Sequence, residues 1–220
     1  MNELLWISIL LISLVGIIVF YKVFGKMGLY TWVIMALIVA NIQAVKTISL
    51  FGMQTNLGII LYSTSFLIIN IINEKYGKKT AKNIVLLTLC IQIMFILLMQ
   101  LGILFKPSVI DMTNENLKLI FNFNIRIFIG STIAYFISQL CNINLYQLLK
   151  LKYNKLWISN GISATISQLL DTFIFMSIAF LNVYSFDLFI KMFIARIILK
   201  IIVVIFSTPA IYIANKIENE

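Results

Sequence analysis

The sequence contains no histidine, two cysteines, two prolines and eight acidic residues among its 220 positions. The lack of histidine excludes zinc sites and general bases that depend on imidazole. Cys90 and Cys141 both lie in apolar runs, far from any metal-ligand spacing, which is typical of packing residues. The chain also has no Gly-rich phosphate loop and no nucleophile–base constellation, so the sequence predicts no enzyme, no metal and no cofactor.

Hydrophobic residues make up 61% of the chain, against about 45–50% in a typical soluble domain, and charged residues only 11%, against about 25%. A core of this size cannot hide that excess, so the solvent of the chain must be largely lipid. A net charge of +9 would favour nucleic acid in a soluble protein. Here the cations collect in short loops between apolar runs, and we expect no nucleic-acid partner.

The apolar residues form seven stretches that can each cross a hydrocarbon core of roughly 30 Å, which needs about 20 helical residues. They predict an all-α, polytopic membrane bundle that forms one domain over residues 1–220. The predicted helices are 4–24, 29–50, 56–73, 82–105, 122–149, 156–181 and 188–214. Because Glu3 precedes the first run and no small-residue cleavage site follows it, we expect a retained helix and not a signal peptide.

Lysines alternate between the loops, and this alternation predicts the orientation of the chain. The first, third and fifth loops carry the lysines 22 and 26, then 75, 78, 79 and 82, then 150, 152 and 155. The even-numbered loops are poorer in lysine, and the fourth, at about 106–121, is expected to hold a short interfacial turn. Cytoplasmic loops carry the excess of positive charge. The N-terminus is therefore predicted outside and the C-terminus in the cytoplasm.

Charged residues inside the apolar runs are the strongest sign of a site, because an ion at membrane depth is costly and normally faces a partner or an aqueous cavity. Asp171 shares one helix face with Gln168, and Arg196 shares a face of the next helix with Lys200. Either cation could pair with Asp171, and Arg196 is the predicted partner because its depth matches best. The second cation leaves a positive excess that favours an electron-rich ligand group or a water-filled cavity. The alternative is an ion pair that only fixes helix packing.

Other polar residues lie at helical spacing along the remaining runs. Asn70 and Glu74 belong to a stripe on the third predicted helix, which interhelical hydrogen bonding would explain equally well. Arg126 projects roughly opposite to the polar side of the fifth helix and could be a snorkelling anchor. The complete set of candidate substrate-binding residues is Asp171, Gln168, Arg196, Lys200, Gln139, Arg126, Asn41, Asn70 and Glu74.

Several short strings of the sequence resemble, in order, segments of the queuosine precursor transporter family, within the vitamin-uptake transporter group. They begin with NIQAVKTISLFG at 41–52 and NEKYGKKTA at 73–81. The later matches are 126–139, Ser167-Gln168 with Asp171-Thr172, Ala179-Phe180, and Lys200 followed by Thr208-Pro209. Together they cover most of the chain from about residue 25 onward.

The resemblance implies a core of six helices, here with an additional N-terminal helix, that imports queuine or related 7-deazaguanine precursors across the inner membrane for tRNA modification. Two positions depart from the family pattern, which usually has Asp where this chain has Asn70 and Asn142. A carboxylate would accept hydrogen bonds from the N1–H and 2-amino edge of a deazaguanine, and Arg, Lys, Gln or Asn would donate to O6.

Two other functions are compatible with the sequence. One is a substrate-capture subunit that docks on an ATPase module, for which the face of Ala36, Ala40 and Ala44 is a candidate docking surface. The other is a structural membrane protein without transport activity. The preferred precursor, the driving ion, a homodimer and an energising module are not specified by the sequence.

Overall fold

The computed structural model describes residues 1–121, 125–181, 183 and 185–217. These residues form six helices and one β-hairpin. In chain order the elements are α1 (Asn2–Gln43), β1 (Thr47–Leu50), β2 (Met53–Asn56), α2 (Ile59–Ile103), α3 (Asn114–Phe121), α4 (Ile125–Tyr153), α5 (Leu156–Phe180) and α6 (Phe186–Lys216). Four of the helices are long and apolar enough to cross a membrane, namely Asn2–Gln43, Ile59–Ile103, Arg126–Tyr153 and Leu156–Phe180.

Helix α1 is broken at Gly25, where φ is 56° and ψ is −138°. Its two halves fold back on each other: a Cβ at Gly16 would lie 1.9 Å from the ring of Trp32, and one at Gly28 would lie 2.0 Å from the carbonyl oxygen of Phe20. Both glycines therefore permit a close approach that any larger residue would prevent. With 42 residues, α1 would be about 63 Å long if straight, about twice the hydrocarbon thickness. The break turns it into two halves of membrane length.

Helix α2 is also broken at a glycine, Gly77 (φ 82°, ψ 167°), which lies in the lysine-rich segment 75–82. The predicted loop is therefore a sharp turn at a single glycine. Gln92, in the second half, accepts a hydrogen bond of 3.1 Å from Asn41, which lines the same cleft as Tyr62 from the first half. The two halves of α2 thus run back past each other.

The second predicted helix is wrong at its C-terminal end. Residues 47–50 form β1, which pairs antiparallel with β2, and α1 already ends at Gln43. Phe51 and Gly52 connect the strands with φ angles of 50° and 75°, the positive values that a two-residue hairpin turn requires. The third helix was predicted to begin at residue 56, but it begins at Ile59, because residues 53–56 belong to β2.

The other boundaries differ from the predicted ones by a few residues. Helix α4 runs from Ile125 to Tyr153 where 122–149 was predicted, and residues 122–124 lie outside the described part of the chain. Helix α6 covers Phe186–Lys216 where 188–214 was predicted. The turn predicted at about 106–121 contains the short helix α3.

The bundle places polar side chains inside and apolar side chains outside. Buried polar residues include Asn70, Gln139 and Asn142, each 0% exposed, whereas Leu97 and Leu101 are more than half exposed. In water such an exterior would aggregate, since monomeric soluble proteins rarely expose large apolar patches. The distribution is that of a bundle whose outer surface contacts lipid.

Candidate functional site

The centre of the bundle holds a buried ion pair between α5 and α6. Lys200 Nζ lies 2.5 Å from Asp171 Oδ2, and both side chains are 2% exposed or less. Tyr62 on α2 donates to Asp171 Oδ1 at 2.5 Å, and Ser138 on α4 donates to the same oxygen at 3.3 Å. Lys200 also donates to Thr172 Oγ1 at 2.9 Å. These donors replace the water that the carboxylate loses on burial, which makes the pair tolerable in a low dielectric.

The predicted pairing of Asp171 with Arg196 is wrong, because Lys200 takes that position. Counting residues from the helix ends placed Arg196 at the matching depth, but side chains lean toward the N-terminus of their own helix. In the antiparallel pair of α5 and α6, Asp171 therefore leans away from the connection between the two helices, while the cations of α6 lean toward that connection. The residue of α6 that contacts Asp171 must therefore lie about one helical turn beyond the residue at the same level as Asp171. That residue is Lys200.

Arg196 reaches instead toward the N-terminal end of α6, to the end of the β-hairpin. Its NH1 donates to Asn56 Oδ1 at 2.8 Å, and its guanidinium carbon lies 4.4 Å from the ring centre of Phe175. The residue is 7% exposed, and its Nε has no hydrogen-bond partner among the described residues. Asn56 in turn donates to the carbonyl oxygen of Ala44 at the end of α1. The hairpin, α5 and α6 thus hold one buried guanidinium that keeps a free donor.

A cleft extends from Arg196 to the ion pair, and residues from most of the long elements line it. Its lining residues are Ala40, Asn41, Ala44, Asn56, Gly58, Ile59, Tyr62, Ser131, Asp171, Phe175 and Arg196. The space between its walls is about 330 Å³, but only about 20 Å³ is open to the centre of a water molecule, room for about one water. The cleft contains an anionic acceptor, a cationic donor, neutral amides and two aromatic rings. This set can recognise a flat, polar, heteroaromatic molecule once the helices move apart.

Asn41, one of the predicted substrate-binding residues, lines this cleft. It accepts a hydrogen bond of 2.9 Å from Ser131 on α4 and donates to Gln92 on α2. One amide therefore ties the end of α1 to two other helices at the wall of the cleft.

A second polar layer lies toward the Lys75–Lys82 end of the bundle. Asn142 donates to Asn70 Oδ1 at 2.9 Å and to Gln139 Oε1 at 3.3 Å, and Asn70 donates to Asn160 Oδ1 at 2.9 Å. The two positions that depart from the family pattern, 70 and 142, are therefore direct neighbours. Two ionised carboxylates so close would repel each other, whereas two amides form a neutral hydrogen bond.

Three more of the predicted site residues lie outside the cleft, the ion pair and this second polar layer. Glu74, near the Gly77 turn, accepts from Tyr146 and pairs with Lys150, each at 2.9 Å. Arg126 is exposed and donates to the carbonyl oxygens of Ile178 and Leu181 at the end of α5, a capping contact for orphan helix carbonyls. Gln168 is buried beside Lys200 but borders a separate small void between α5 and α6.

Tyr62 and Phe175 were missed as site residues, and both are central to the geometry. Both lie in apolar runs, where aromatic residues usually serve packing. A signal existed for Tyr62: Asn70 and Asn73, eight and eleven positions further along α2, are buried polar residues close to the same helix face. A signal existed for Phe175 as well, because it follows Asp171 by four positions on the same face of α5. In the described part of the chain no cluster of His, Cys, Asp and Glu could hold a metal ion.

An apolar bundle that encloses a charged cleft is the architecture of a multi-pass membrane protein that handles a polar molecule between its helices. Residues 56–214 match the family model described as "Putative vitamin uptake transporter". A protein of Bacillus subtilis (strain 168) named "Probable queuosine precursor transporter" is 37% identical over 218 residues, which cover 98% of this chain and 95% of that protein. No solved structure matches the chain. The chain therefore belongs to the vitamin uptake transporter family, as the sequence resemblance predicted.

Proposed function

We propose that this chain imports queuosine precursors, queuine or related 7-deazaguanines, for tRNA modification, and that the cleft is their binding site. The observation that carries the proposal is the buried set of Asp171, Arg196 and Asn56 in one cleft beside the rings of Tyr62 and Phe175. The relative from Bacillus subtilis, similar over almost its full length, supports the substrate class. Membership of a transporter family supports transport and not catalysis.

The chemistry of a deazaguanine fits these groups. A carboxylate offers about four acceptor positions, and Lys200, Tyr62 and Ser138 use three of those of Asp171. One position remains for the N1–H or 2-amino group of the base. The unpartnered Nε–H of Arg196 can donate to O6, and such charge-assisted hydrogen bonds are stronger than neutral ones. The rings of Tyr62 and Phe175 offer apolar faces for the heterocycle.

Transport requires the bundle to open, since the cleft holds about one water as it stands. Below the cleft, α2 and α4 are joined by amide hydrogen bonds and then by the pair of Glu74 with Lys150. These contacts close the route toward the Gly77 end. Separation of α2 from α4 would release a bound molecule there, which is the motion expected of a carrier with alternating access.

Uptake by the purified chain in proteoliposomes tests the proposal. We expect labelled queuine or another labelled 7-deazaguanine to equilibrate or accumulate inside vesicles that contain this chain alone. A substrate-capture subunit would bind the compound without turnover, and a structural protein would do neither. In cells that lack other routes of uptake, the queuosine content of tRNA gives the matching readout.

We further propose seven membrane spans, with the breaks at Gly25 and Gly77 as turns on the cytoplasmic side, the N-terminus outside and the C-terminus inside. Single cysteines in a background without Cys90 and Cys141 test this orientation. An impermeant thiol reagent applied to intact cells should label a cysteine at Val109, which is fully exposed in the outer loop, and should leave one at Lys78 unlabelled until the cells are opened. Labelling at position 78 in intact cells would reverse the assignment.

A further inference from the structure

Arg196 is the one buried cation of the described site that does not pair with a carboxylate. Its guanidinium donates to a neutral amide oxygen of Asn56, rests on Phe175 and keeps its Nε–H without a partner. A guanidinium is always charged and has five donors in a fixed fork, so it does not become neutral to relieve this burial. An unfilled donor on a buried, permanent cation points to a ligand that brings an acceptor.

The charge balance of the site gives a second, independent indication. Asp171 carries one negative charge, and Lys200 and Arg196 carry two positive charges, so the site has a surplus of +1. The remaining acidic side chains of the described residues lie elsewhere. Glu74 pairs with Lys150, Asp187 pairs with Lys191, and Glu3 accepts from the backbone at the hairpin turn, while Asp111 and Glu115 are exposed or partly exposed in and beside α3.

We propose that Arg196 determines substrate specificity in this cleft: it selects 7-deazaguanines whose 7-substituent is uncharged and rejects those that carry a protonated amine. The proposal rests on the function proposed above and adds to it the charge of the substrate. The Nε–H of Arg196 binds an oxygen or nitrogen acceptor of the neutral compound. A second cation placed in the same water-poor cleft is repelled by the surplus charge, and that repulsion is strong where the effective dielectric is low.

The surplus cannot be absorbed by the acid that is present. Asp171 is already in contact with Lys200 at 2.5 Å, with two hydroxyl donors on its other oxygen. An ammonium group of a substrate at the remaining acceptor position of Asp171 would share that single carboxylate with Lys200, so the site would then hold three cations against one anion. Once opened, the cleft would therefore discriminate by charge between deazaguanines that share the same ring system.

The experiment compares initial uptake rates of two labelled probes, a 7-deazaguanine with a 7-cyano group and one with a 7-aminomethyl group, in proteoliposomes with the full chain. The wild-type chain is expected to prefer the neutral cyano compound by about tenfold or more. Arg196→Gln keeps an amide donor and removes the charge, so the preference should fall to about threefold or less through faster uptake of the cationic probe. The ratio of the two rates is independent of the amount of inserted protein.

Two controls keep the test sharp. Arg196→Lys retains the charge and should retain the preference, and Lys191→Gln removes an exposed charge from the same helix and should leave it unchanged. An equal or reversed preference in the wild-type chain overturns the inference, as does an unchanged ratio in Arg196→Gln. Should Arg196→Gln fail to insert, the wild-type ratio still decides. Absence of uptake of both probes by well-inserted wild-type protein contradicts the proposed function itself and is thereby distinguished from a failure of this inference.

Discussion

Asp171→Asn is expected to reduce uptake per inserted molecule by about 10- to 100-fold and to lower the amount of protein in the membrane. Asparagine keeps the volume of the side chain but loses the charged acceptor, which weakens ligand binding by about 1.5–3 kcal/mol. It also leaves Lys200, 2% exposed, without a counter-charge, and breaking a buried pair in this way costs about 3–5 kcal/mol in free energy of unfolding. The measurement is the initial uptake rate per inserted molecule, together with membrane abundance.

A matched control is available in the same chain. Asp187 forms an ion pair of 2.6 Å with Lys191, but its side chain is 75% exposed, and such surface pairs contribute about 0–1 kcal/mol. Asp187→Asn should therefore transport and accumulate normally. If Asp171→Asn behaves like Asp187→Asn, then Asp171 has no part in recognition and the cleft is not the substrate site.

The double variant Asp171→Asn with Lys200→Met is expected to recover membrane abundance without recovering uptake. Lys200→Met alone strands the carboxylate with two hydroxyl donors, so its abundance should fall as that of Asp171→Asn does. Removing both charges replaces the pair with neutral groups of similar volume, which is often neutral for stability. A double-mutant cycle on abundance and on uptake separates the two roles of the pair.

Two outcomes would contradict this expectation. Full uptake by the double variant would mean that the pair only fixes the packing of α5 on α6, which was the alternative kept open from the sequence. Wild-type abundance of Lys200→Met alone would mean that Asp171 does not depend on Lys200 for its burial.

The sequence predicted the class of fold because lipid imposes a simple rule: a chain in hydrocarbon must satisfy its backbone hydrogen bonds within helices. Apolar runs therefore located the helical segments to within a few residues over most of the chain. The prediction failed at residues 47–56, where the apolar run continues but the β-branched Thr47 and Ile48 and the turn at Phe51-Gly52 form a hairpin. Hydropathy does not distinguish a strand at the bundle end from the last turns of a helix.

The features of the site also fall into those that the local sequence predicted and those that depend on helix packing. Helical spacing placed Asp171, Arg196 and Lys200 on facing surfaces, since the period of 3.6 residues is a local property of the chain. It could not show that Asn70 and Asn142 are in contact, or that Glu74 lies at the far end of the bundle with Lys150. Those contacts depend on how α2 and α4 pack. The residue spacing within one helix does not specify how a neighbouring helix is rotated about its own axis.

The sequence by itself determined that the solvent is lipid, that the bundle is helical and that it buries one carboxylate with an excess of cations. Only the tertiary structure decided which cation meets Asp171 and which remains for a ligand. The physical reason is that side chains of antiparallel helices lean in opposite directions, so that equal depth along the axes is not contact in space. Lys200 therefore neutralises Asp171, and Arg196 is left beside the hairpin with an unfilled donor.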